Sequence, residues 1–122
     1  MSASTDINTA ARAQRDVALA ANQAAIAAVL KHIAGASDAV RDAGHTQILA
    51  LNAEGLRIQA AFIAQVAATP ENQKIIAQMA AVTKEMTATA SALAGATAWA
   101  NEVTTLLGYG TQVITLAAGL AA

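Results

Sequence analysis

Few residues in this chain are able to do chemistry. Histidine occurs twice, as His32 and His45, and cysteine is absent, so thiolate nucleophiles, disulfides and thiolate-bound metals are excluded. No His-x-x-x-His or Glu-x-x-His spacing puts two ligands on one helical face, and no metal site is expected. The simpler reading of both histidines is a polar residue on a wet helix face. Asp38 and Asp42 stand four apart and would share a face, and Glu54 lies close to Arg57. A catalytic carboxylate pair needs a cleft that drives two pKa values apart. Pairing with Arg41, Arg57 and water explains the same residues without one. The run Gly108-Tyr109-Gly110 lacks the further glycines, the lysine and the strand of a phosphate loop, and no Gly-x-Ser-x-Gly elbow occurs. The expectation is a protein with no catalytic residue, no cofactor and no small-molecule substrate.

Composition points to assembly rather than turnover. The chain has 122 residues, 36 of them alanine; 56 % of residues are hydrophobic and 12 % charged, about half the usual share of charge. The net charge is −1 with no basic block, so nothing neutralises a phosphate backbone and nucleic acid is not an expected partner. The first residues, MSASTDINTA, carry neither a basic segment nor an apolar core of the secretory kind. The default compartment is then the cytoplasm, with export lacking a cleaved signal, or membrane association, as alternatives.

The elements that would position these residues are helices. Stepping by four and three from Ile75 gives Met79, Val82, Met86, Thr89, Leu93, Ala96, Ala100, Val103, Leu107, Gly110, Ile114, Ala117 and Ala121, a line no charge interrupts. A similar line runs unbroken from Leu19 through Gln23, Ile26, Leu30, Ile33, Ser37, Val40, Gly44, Ile48, Leu51, Gly55, Ile58 and Phe62 to Val66. Between the two, Thr69-Pro70-Glu71 is a helix start: a capping hydroxyl, a proline at the first position and an acid at the positive end of the dipole. The expected fold is all-α, an elongated antiparallel helical hairpin of coiled-coil type in a single domain, 1–122. Its first helix covers about 5–67, its turn 68–70 and its second helix about 70–107, with an apolar helical continuation to 121. The first helix would be about 95 Å long at about 1.5 Å per residue. The alternative is a three-helix bundle, with Gly35 ending one helix and Ser37-Asp38 starting the next. Gly108-Tyr109-Gly110 is a second point of expected bending.

From Met86 to Ala122 there are 37 residues and a single charge, Glu102. Trp99, Leu106, Val113 and Leu120 form a second apolar column beside the seam. The face is thereby wider than one partner helix covers, which leaves surface for another chain or a membrane. The packing and interface residues expected from this pattern are Met79, Met86, Leu93, Trp99, Val103, Leu106, Leu107, Val113, Ile114 and Leu120. Val103–Ala122 holds 20 residues without a charge, long enough to span a bilayer, but four threonines, a glutamine and three glycines make its hydropathy marginal.

The alanine-rich texture of residues 20–25 resembles that of the phasins, which coat polyester granules and carry far more charge. The two-helix plan resembles small secreted hairpins, but their Trp-x-Gly turn is missing here. No residue is carried over from either. The function expected is non-enzymatic: a structural, self-assembling helical protein that forms an oligomer or filament with itself or with a homologous helical protein. The alternatives are a membrane-active protein, pore-forming or export-associated, that inserts its C-terminal segment, and an amphipathic coat or adaptor on an apolar surface.

Overall fold

The computed structural model describes residues 3–122, and the described residues form four helices and no strand. They are α1 (Ala3–Ile33), α2 (Asp38–Ala61), α3 (Pro70–Gly95) and α4 (Trp99–Ala118). The all-α class is as expected, but the arrangement is not the two-helix rod. The helix expected over 5–67 is divided into α1 and α2, and the one expected over 70–107 and onward is divided into α3 and α4. The longest, α1, has 31 residues and so is about 46 Å long at about 1.5 Å per residue.

Each division has a local cause. Gly35 takes φ +74°, a left-handed conformation that glycine adopts without steric cost, and it stops α1. Ser37 then caps α2, its Oγ accepting from the Val40 amide at 3.4 Å. That is the break foreseen in the three-helix alternative. The second break, at 96–98, was not foreseen. The Ala96 amide donates to Leu93 O at 3.3 Å to close α3, and α4 begins at Trp99 without a side-chain cap. Gly108-Tyr109-Gly110, expected to bend the chain, lies inside α4. The start of α3 is as expected, with Thr69 Oγ1 accepting from the Asn72 amide at 3.1 Å and Pro70 in the first turn.

Two hairpins, α1–α2 and α3–α4, stack face to face. Helix α1 packs on α2 and α3, α4 packs on α3 and α2, and α1 also reaches α4 across the middle. Helices α1 and α3 run in the same direction: Ile7 clusters with Ile76, Thr83 donates to Gln14 Oε1 at 2.6 Å, and His32 meets Leu93 O at 2.7 Å. The α1–α2 hairpin has already returned the chain to its starting end, and the connection at 62–69 passes across that end from α2 to α3. Buried Asn72 fixes that crossing, its Nδ2 donating to Ala67 O and Ala121 O, each at 2.8 Å.

Alanine lets the bundle close. The inward face of α1 is Ala11, Ala18, Ala21, Ala25 and Ala28 with Val29, and not the expected Leu19-Gln23-Ile26-Leu30 line, which lies on its flank. Small side chains bring helix axes close, and close axes call for glycine opposite bulk. A Cβ at Gly44 would run into the buried Ile33 side chain, and one at Gly55 would come 3.0 Å from Asn22 Oδ1. Gly44→Ala is therefore expected to destabilise the fold. Overpacking against a β-branched neighbour costs about 1–3 kcal/mol, and about 1 kcal/mol of that is recovered in helix propensity. Urea denaturation of Gly44→Ala and of Gly44→Ala/Ile33→Ala checks it. The alanine at 44 should cost stability with Ile33 present and gain it once Ile33 is truncated.

Candidate interaction surface

The residues expected to pack or to form an interface lie in the core or at its edge. Met79, Met86, Leu93, Val103, Leu106 and Val113 are fully buried and Leu120 nearly so. Trp99, Leu107 and Ile114 are partly buried against the same core. Four helices explain why. The seam of α4 and its second column, Leu106 and Val113, are covered by two partners, α3 and α2, where a hairpin would have supplied only one. The C-terminal apolar face is thus spent within the monomer, and no helix among the described residues is long and apolar enough to cross a membrane.

Of the chemistry-bearing residues, His32 is half-buried and bonded. With Nε2 protonated it donates to Leu93 O at 2.7 Å, and its ring stacks on Trp99 with centroids 5.4 Å apart and planes 9° apart. It ties the end of α1 to the last carbonyls of α3 and the first residue of α4, a structural clip where the sequence had suggested a wet face. His45 is exposed. No three His, Asp or Glu side chains among the described residues group so as to hold a metal ion. Asp38 pairs with Arg41 as expected, while Asp42 stays outside that pair.

Glu54 departs most from expectation. It is 4 % exposed, not solvated, and faces Gly110 of α4, where any Cβ would occupy the space of its carboxyl. Its Oε1 is buried with no hydrogen-bond partner among the described residues. Burial raises its pKa from 4.5 to about 7, against a smaller opposing effect of the Arg57 charge.

What remains free is an apolar flank on the other hairpin. Among the described residues, the large hydrophobic side chains left exposed, Val17, Leu30, Val40, Leu49, Leu56 and Ile63, belong to α1, α2 or the residues just after α2. The most exposed are Leu56 at 67 % and Leu49 at 69 %. Leu49 and buried Ile58 lie nine residues apart, about 180° around a helix at about 100° per residue, so Leu49 points directly away from the core. Leu56 shares that outer side. Beside it, Leu19, Gln23 and Ile26 of α1 form one wall of a shallow groove, and Asn52, Leu56 and Gln59 of α2 form the other. A detectable signal was present in the sequence: Asp42, Leu49, Leu56 and Ile63 recur every seven residues, on the side away from the first seam.

The described residues form an all-α four-helix fold whose two most exposed hydrophobics, Leu49 and Leu56, share the outer side of α2. Comparison of the chain with family models, with curated proteins and with solved structures finds no match.

Proposed function

We propose that this chain is a non-enzymatic helical module that self-associates, and that the surface it uses is the outer flank of α1–α2. The observation that carries the reading is the one-sided distribution of exposed leucine, isoleucine and valine. Among the described residues, the large hydrophobic side chains left mostly exposed all lie on the α1–α2 hairpin or just after it, whereas those of α3–α4 are buried or partly buried. Apolar residues scattered singly over a surface need no explanation, whereas a file of them along one flank is a contact surface. Low charge supports the same reading: with a net charge of −1, little electrostatic repulsion holds copies apart.

Sedimentation velocity over a wide concentration range tests the proposal. The expected result is a reversible shift from monomer to a larger species, reversed by Leu56→Lys with helicity unchanged. A single monomeric species at every concentration would overturn it. Flotation with liposomes separates the membrane-active alternative: the protein is expected to stay with the soluble fraction, and co-flotation independent of Leu49 and Leu56 would favour that alternative instead.

A further inference from the structure

We propose that the outer face of α2 is the contact of an antiparallel, two-fold dimer of this chain, in which Asp42 of each copy meets the Arg12–Arg15 corner of the other. The inference rests on the self-association read above and gives it a geometry.

The argument is the order of side chains along one line. Asp42, Leu49 and Leu56 follow one another at seven-residue intervals down the side of α2 that faces away from the core, and exposed Ile63 follows just past the end of that helix. The line is acidic at its first end and apolar in its middle. At its last end it is basic, because Ile63 shares a cleft with Arg12 and Arg15 of α1. Asp42 and Arg12 make no ion pair among the described residues, and Arg15 bonds its neighbour Asp16 at 3.1 Å. A parallel pairing of two such lines would set acid on acid and arginine on arginine. The antiparallel pairing sets each acid against the arginines of the other copy, so the surface is complementary to itself, which is the condition a two-fold interface must meet.

The register follows from the same order. Asp42 and Ile63 can face one another across the dimer only if the axis passes midway between them, near Ala53. Leu49 then faces the partner's Leu56, and the reverse. The flanking positions, exposed Ala53 and Ala60, are small enough for the two α2 helices to approach closely. From Asp42 to the end of α2 at Ala61 is about 28 Å at about 1.5 Å per residue, so both charged ends engage only in this one register.

The absence of cysteine from the chain makes single-cysteine variants clean reporters. Under mild oxidation Ala53→Cys is expected to form a disulfide-linked dimer at concentrations where the native protein associates. Asp42→Cys is expected not to link to itself, and to link to Ile63→Cys when the two variants are mixed. Arg12→Asp and Asp42→Arg are each expected to weaken the dimer by about tenfold, since every reversal is felt at two contacts, and the double reversal to restore it. Circular dichroism of each variant establishes that the bundle is intact. Self-linking of Asp42→Cys as efficient as that of Ala53→Cys would overturn the antiparallel register. So would a double reversal no tighter than the single ones. A dimer that disobeys the cysteine pattern sinks this inference and leaves self-association standing, while a protein monomeric at all concentrations sinks both.

Discussion

Glu54→Gln is expected to make the protein more stable above neutral pH and to leave it nearly unchanged in acid. The reason is where the carboxyl sits. It is buried between α2 and α4 against Gly110, its Oε1 has no partner among the described residues, and burial raises its pKa from 4.5 to about 7. Below 4.5 the group is protonated in both folded and unfolded chains, and the neutral carboxyl is tolerated in the core. As pH rises from 4.5 toward about 7 the unfolded chain gives up its proton and the folded one keeps it, so stability falls. Above that window both states are ionised, and the loss, about 3 kcal/mol at about 1.4 kcal/mol per pH unit, is complete. Glutamine fills the same volume and does not titrate. Denaturant unfolding of the native protein should show stability declining across the window, and the Gln variant should be flat there by comparison. Equal slopes in the two proteins would mean that the carboxyl is solvated in solution and that the α2–α4 contact is looser than the structure has it.

Glu54 also marks where sequence reasoning reached its limit. The helical class and the Thr69–Pro70 start were legible because each rests on a local rule, whereas the Gly35–Ser37 stop stood only as the alternative to a continuous helix over 5–67, since the apolar line keeps its phase through it. The second seam was legible too, because methionine, leucine and valine mark a face by size, and those residues are the core of α3 and α4. The first seam was misplaced on α1 because alanine is equally at home on either side of a helix. With alanine at most positions, the few large residues seemed to mark the inside, yet Leu30 is 50 % exposed while Ala18 and Ala25 are fully buried. Glu54 was read as wet because its neighbour Arg57 offers a partner in sequence, and only the approach of Gly110 from α4 shows that the carboxyl is enclosed. The break at 96–98 carries no proline and no side-chain cap, so it arises from packing. The end of α3 is held by His32 and Trp99, residues whose meeting depends on the other hairpin. The exposed apolar file of α2 was missed for a related reason. Once the hairpin was taken to have one inside, the strongest apolar columns were assigned to it or to its partner, and the file Leu49, Leu56, Ile63 was not weighed.

Leu106→Ala and Leu56→Ala should therefore differ sharply, although a helical-hairpin rod would treat both as residues beside a seam. Leu106 is fully buried in the core cluster with Val103 and Val113, so truncation removes its transfer energy and leaves a void that close helix packing cannot readily collapse. The expected loss is about 2–5 kcal/mol, a large share of what holds a domain of this size together. Leu56 is 67 % exposed, and its truncation in the monomer should cost no more than about 0.5 kcal/mol. Dilute-solution urea unfolding measures both at once. At concentrations where the chain associates, the order of effects on assembly should reverse: Leu56→Ala weakens association, whereas any effect of Leu106→Ala there comes only through unfolding. Comparable losses of stability at the two positions in dilute protein would mean that α2 does not present Leu56 to water, and the interaction surface would have to be sought elsewhere on the bundle.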